Sequence, residues 1–227
     1  MRNAFITGSA VFALAAASAV YALAPSGEQA ETTVPATTSS TVAEAATAQD
    51  SSQLYQEVDA KRITLGDASR LKAENAKLLP KGVKSLLKTS GTLTHGDYVW
   101  NDEGVPAGKI TVFVDIRRQM MSVFKGGHEI GTAVIVYGAG DHESPLGTFP
   151  ILSKYRDYHS RTYDAPMPHS LFLTRDGVAI HGNVMETYRA TKGCIGLPPE
   201  FAQLLFDVAS KGDIVEITQS QAPAEKA

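Results

Sequence analysis

The chain has 227 residues, with 21 Lys and Arg against 24 Asp and Glu and a formal net charge of −3. That balance offers no basic footprint for a nucleic-acid partner, and 43% apolar with 20% charged residues is the make-up of a globular domain with appendages. One cysteine excludes an intramolecular disulfide and leaves a single thiol as a candidate reactive group.

In residues 1–24, Arg2 is the only charge in an Ala-rich apolar run, the form of an export signal. Ala17-Ser18-Ala19 and Ala22-Leu23-Ala24 have the small-x-small shape of a cleavage site, and Pro25 opposes cleavage after the second. The run also approaches the roughly 20 residues that span a bilayer, so an uncleaved N-terminal membrane anchor stands beside a removed signal. Either outcome implies export to the periplasm or cell envelope. Residues 25–52 are rich in Ala, Thr, Ser, Glu and Gln without apolar periodicity, and read as a disordered linker whose role is reach. Residues 53–92 read as a helical prefix. Leu54, Tyr55 and Val58 fall on one helical face, as do Leu71, Leu78 and Leu79; Asp67 is the expected N-cap, and Pro80 with Gly82 ends the pattern.

From Lys109 the period changes to two. Ile110, Val112 and Val114 alternate with Thr111, Phe113 and Asp115; Gln119 to Phe124 and Glu129 to Tyr137 follow, with a hairpin turn at Lys125-Gly126-Gly127-His128. Strands joined this closely predict an antiparallel sheet rather than βαβ units. His142 beside Glu143 lacks companion ligands at metal spacing, so no metal is expected. Tyr155 to His169 reads as a long loop of lid length. Pro198-Pro199-Glu200 opens a helix with an apolar face of Phe201, Leu204, Leu205 and Val208. A final strand runs from Asp213 to Thr218, and 219–227 is a polar tail. No Walker loop or dinucleotide fingerprint appears, and no cofactor is expected.

The chemistry concentrates between Gly177 and Leu197. Val178-Ala179-Ile180 reads as a buried strand that ends at His181, and Gly193-Cys194-Ile195-Gly196 as a tight turn that presents the thiol. Glycine beside each lets the backbone approach a substrate. A thiol reacts as thiolate, so a neighbouring imidazole that removes its proton completes the minimal set for acyl transfer. Spacing alone leaves a small buried hydrophobe and a structural histidine as the alternative. His159 and His169 compete as base, but lie in Pro-flanked sequence rather than at the end of an apolar strand.

His181-Gly182 followed by Thr191-Lys192-Gly193-Cys194-Ile195-Gly196-Leu197 resembles the signature of the L,D-transpeptidases (the YkuD domain): H-G, a variable loop, then S-H-G-C-[IV]-R-[LM]. Ser144-Pro145-Leu146-Gly147-Thr148-Phe149-Pro150-Ile151 is similar to the family's T-P-T-G-x-F-x-I. Ala165-Pro166-Met167-Pro168 and Asp97-Tyr98-Val99-Trp100 are similar to segments of an alphaproteobacterial-type branch. The resemblance covers residues 93–218, the expected catalytic domain. It implies a mainly β (α+β) fold, a YkuD-like β-sandwich with a short helix after the cysteine.

It also implies an enzyme that acts on peptidoglycan stem peptides, with Cys194 as nucleophile and His181 as proton acceptor and donor. Gly193, Thr191 and Gly182 would support the oxyanion and the turn. Lys192, Arg189, Tyr163, Met167 and Pro168 would contact substrate, under a flap formed by the 155–169 loop. Carbapenems become expected inhibitors. A wall L,D-carboxypeptidase or endopeptidase using the same thiol, and a non-catalytic wall-binding protein, are the alternatives. Three positions depart from the pattern: Thr191 stands for Ser, Lys192 for His, and Gly196 for Arg. Arg189, Lys192 and Arg175 are the cations available to replace that arginine.

Overall fold

The computed structural model describes residues 55–59, 61–185 and 191–221. The expected signal or anchor, the linker, Leu54, Arg189 and most of the polar tail lie outside the described residues.

The prefix begins with β1 (Tyr55–Asp59), β2 (Arg62–Leu65), helix α1 (Asp67–Asn75) and β3 (Leu86–Leu87), its three strands forming one small antiparallel sheet. This corrects the helical prefix: Tyr55 and Val58 lie in a strand, and one helix of nine residues remains. Helical spacing over a few residues is a weak signal, and pairing with Arg62-Ile63-Thr64-Leu65 overrides it. Asp67 is the first helical residue rather than the cap, and its carboxylate pairs with Arg70 at 2.8 Å. The prefix is fastened to the domain through the buried Arg62. Its guanidinium donates to the carbonyls of Glu129 and Asn101, both at 2.6 Å.

Two sheets follow. β4 (Tyr98–Trp100), β5 (Ile110–Asp115), β6 (Met120–Lys125), β7 (His128–Val134), β8 (Gly147–Pro150) and β13 (Ile214–Thr218) form a six-stranded sheet in the order β4-β7-β6-β5-β13-β8. β9 (Ser153–Ser160), β10 (Ala165–Phe172), β11 (Ala179–Gly182) and β12 (Ile195–Leu197) form a four-stranded one in the order β12-β11-β10-β9. The expected antiparallel run holds for β5-β6-β7, where Gly126 and Gly127 take φ of 59° and 90°, the two left-handed residues that a tight hairpin turn demands. β13 instead returns parallel to β5. The alternating residues Ile110, Val112 and Val114 meet Leu171, Ile180, Ile195 and Leu197 of the other sheet in one buried core, with Phe201 and Leu205 of helix α2 (Pro199–Val208). This is a β-sandwich closed by a short helix.

The loop expected over 155–169 is also corrected. Most of it is the β9–β10 hairpin, turning at 161–164. Pro166 and Pro168 disguise the strand, but β10 meets β11 only at Leu171 and Phe172, so the prolines fall where β10 has a single neighbour.

Phe201 ties α2 to the six-stranded sheet, edge-on to Trp100 at 5.5 Å and beside Tyr98 at 5.7 Å. Gly131 makes room for these rings: a methyl there would sit 2.6 Å from Trp100 Cζ3 and 3.0 Å from Phe201 Cε2. Gly131→Ala is therefore expected to cost about 1–3 kcal/mol, read as a lower urea midpoint at unchanged slope; an unchanged midpoint would contradict this packing.

Candidate active site

β11 and β12 are neighbouring parallel strands, with Ile180 paired to Ile195 and His181 to Gly196. Their side-chain alternation buries Ile180 and Ile195 in the core and turns His181 to the opposite face, and Cys194 lies one residue before β12 begins. Both line a cleft of about 480 Å³ with Ser160, Thr162, Tyr163, Met167, Asn183 and Lys192 among its walls. Each is 8% exposed. Burial on this scale removes bulk water from the reacting groups while the cleft keeps them reachable.

The imidazole is oriented by the backbone. His181 Nδ1 lies 2.8 Å from the Gly182 carbonyl oxygen. A carbonyl only accepts, so Nδ1 carries the proton and Nε2 is left with its lone pair. Burial pushes the His181 pKa below the usual imidazole range, and the Gly182 hydrogen bond opposes it only in part. The ring is neutral at pH 7, as a proton acceptor must be.

The thiol rests on an apolar bed of Met167 and Ala179, and donates to the Gly177 carbonyl at 3.7 Å. Burial pushes the Cys194 pKa above its ordinary value, and the Ala179 N–H lowers it less. Resting cysteine and histidine are thus both neutral, not a thiolate–imidazolium pair.

Two hydroxyls hold the turn around Cys194. Thr191 Oγ1 and Ser144 Oγ both donate to the Cys194 carbonyl, the second at 3.4 Å, and Ser144 Oγ accepts from the Gly138 N–H at 2.9 Å. Gly193 takes φ of 94°, the left-handed conformation that a side chain resists, and so sends the chain into Cys194. Gly182 does its part through its carbonyl and through its lack of a side chain: a methyl there would be 3.2 Å from Pro168 Cγ.

Of the residues expected to contact substrate, Lys192, Tyr163 and Met167 line the cleft. Lys192 Nζ stands 4.8 Å from the Tyr163 ring centroid, a cation–π contact between the hairpin turn and the segment before Cys194. Pro168 backs Gly182 and is not among the cleft's walls. Arg175 lies in the turn before β11, also away from the cleft. His159 pairs with Asp164 at 2.9 Å and His169 packs on Phe206, so neither competes with His181. Sequence reasoning missed Ser144 and Asn183. Ser144 opened a quoted motif, but its tie to a carbonyl fifty positions away has no local signal.

Gly196 stands where the L,D-transpeptidase pattern has arginine, and the structure gives it no side-chain space. A Cβ would lie 2.6 Å from Val136 Cγ2 and 2.9 Å from Asn183 Nδ2. Val136 and Gly196 also exchange both backbone hydrogen bonds, at 2.8 and 3.0 Å.

Solved structures similar to the chain include an L,D-transpeptidase from Stackebrandtia nassauensis: 22% identity, 51% of this chain, 58% of that one, TM-score 0.46. L,D-transpeptidase 1 from Mycobacterium tuberculosis matches at 24% identity over 48% of this chain and 61% of that one, with TM-score 0.42. LdtMt1 in complex with imipenem matches at 17% over 72% and 76%, with TM-score 0.45. The chain spans about three-fifths of the length of the first of these structures. No curated protein matches at a significant level. Residues 109–217 match the family model described as YkuD, L,D-transpeptidase catalytic domain, a span that holds every cleft residue named above. Residues 109–217 are therefore similar to the L,D-transpeptidase catalytic domains that this family model describes.

Proposed function

We propose that the protein is a cysteine L,D-transpeptidase that acts on peptidoglycan stem peptides in the cell envelope. The observation that carries this is that His181, with Nδ1 at the Gly182 carbonyl, and the thiol of Cys194 line one cleft. As a substrate carbonyl approaches, the thiol proton passes to His181 Nε2 and the sulfur bonds to the acyl carbon between the third and fourth stem residues. The developing oxyanion is met by the N–H groups of Gly193 and Cys194, donors of a kind worth about 3 kcal/mol each. The imidazolium returns its proton to the departing D-alanine amine as the C–N bond breaks, leaving a thioester on Cys194. An acceptor amine then attacks the thioester, His181 takes its proton, and the thiolate leaves to be reprotonated. A stem side-chain amine as acceptor yields a 3→3 cross-link; water yields a trimmed stem. Lys192, freed from Tyr163, supplies a cation for a stem carboxylate where arginine is absent. The N-terminal segment serves export, with or without retention at the membrane.

Purified protein is expected to gain the mass of one imipenem and to convert stem-bearing disaccharides to dimers, and Cys194→Ala to do neither. Trimmed monomers without dimers would make it a carboxypeptidase, and no adduct would overturn the nucleophile. Because burial raises the Cys194 pKa and lowers that of His181, the rate of iodoacetamide alkylation should keep climbing as pH rises through 8. A rate already flat from pH 6 to 8 would reveal a preformed thiolate and contradict the neutral resting pair. Gly196→Arg, which restores the family's residue, should lose about 1–3 kcal/mol of stability from overpacking against Val136 and Asn183. Equal stability with raised activity would show that the space exists after all.

A further inference from the structure

A second concave surface lies on the outer side of the β9–β10 hairpin. Tyr155, Tyr158 and Phe172 form a cluster with ring centroids 5.0–5.8 Å apart, two of the three contacts edge-on. With Ser153, Arg175 and Lys211 they line a groove of about 510 Å³, within the roughly 300–1,000 Å³ of small-molecule clefts. Tyr155 is 52% exposed although it sits on a strand. Tyr158 and Phe172 turn inward and pack against the cluster of Met167, Ala179 and Cys194. One layer of aromatic side chains therefore separates this groove from the bed of the thiol.

We infer that this groove is a saccharide-binding subsite for a carboxylate-bearing glycan chain. The inference rests on the transpeptidase reading of the cleft, which brings the protein to a glycan polymer; a unit that bears a stem has its lactyl carboxyl in an amide, so the carboxylate belongs to stem-free units of the strand. A pyranose ring has an apolar C–H face and a polar edge. Rigid tyrosine rings offer the same combination, with little side-chain entropy left to lose on binding. Arg175 and Lys211 are exposed cations at the groove, and a sugar carboxylate suits the guanidinium fork. The neighbouring Asp176 carboxylate is bonded to the Thr174 hydroxyl, which holds its pKa down, and it does not line the groove.

The test uses full-length Cys194→Ala protein, which binds without turnover. It is titrated with stem-free glycan strands carrying free lactyl carboxylates, with a neutral N-acetylglucosamine oligomer of equal length, and with isolated stem peptide, by calorimetry and amide chemical shifts. The inference expects the carboxylated glycan to bind best, with shifts at Tyr155, Phe172 and Arg175. Adding Tyr155→Ala should weaken it about tenfold, and Tyr155→Phe, which keeps the ring, should leave it within about threefold. Arg175→Ala with Lys211→Ala should reduce the glycan to the affinity of the neutral oligomer and remove its salt dependence. No glycan binding, affinity indifferent to Tyr155→Ala, shifts confined to the cleft, or stem peptide alone filling the groove would overturn it. Imipenem labelling of the native protein reads the cleft separately. An adduct without glycan binding removes the groove and spares the transpeptidase reading; glycan binding without an adduct does the reverse.

Discussion

The pairing of β11 with β12 is the constraint on which the site depends. These strands are four and three residues long, and their parallel register sets His181 opposite Gly196, two residues past the thiol. A slip of one residue would turn every side chain of a strand to the other face, sending His181 into the core and Ile180 into the cleft. The register is held from three sides. Ile180, Ile195 and Leu197 are fully buried between the sheets, α2 packs through Phe201 and Leu205, and Val136 is bonded to Gly196 in both directions. Stability and the geometry of the cleft thus draw on the same few residues.

Burial carries a cost for the chemistry that it permits. Both reacting groups are driven toward their neutral forms, so the ion pair that would make a ready thiolate is disfavoured at rest. Local hydrogen bonds fix the surroundings of both groups. The Gly182 carbonyl aims the ring and selects its tautomer; the Ala179 N–H sits near the sulfur; Ser144 and Thr191 hold the carbonyl of Cys194. The glycine at 196 belongs to the same economy of space, since the volume next to the strand pair is filled by Val136 and Asn183.

Local patterns in the chain already announced much of this. The hairpin at Gly126-Gly127, the strand ending at His181, the glycine-flanked cysteine and the Pro-initiated α2 all follow from neighbours within a few residues. Long-range determinants stayed hidden. Tyr55–Asp59 has helical spacing and strand structure because its partner β2 decides it. Pro166 and Pro168 read as loop because nothing local says that β10 lacks a second neighbour there. Ser144 acts through a carbonyl fifty positions on, and Asn183 through the space around Gly196. The aromatic groove joins residues from β9, β10, the turn before β11 and the loop after α2, a combination that no single stretch displays.

The central claim is that His181 meets the thiol as a neutral ring whose free lone pair is on Nε2. Long-range ¹H–¹⁵N correlation on imidazole-labelled protein at pH 7 reads this directly. The expected result is a protonated Nδ1 and an unprotonated Nε2 at residue 181. An Nε2–H tautomer, or an imidazolium with both nitrogens protonated, would contradict the account.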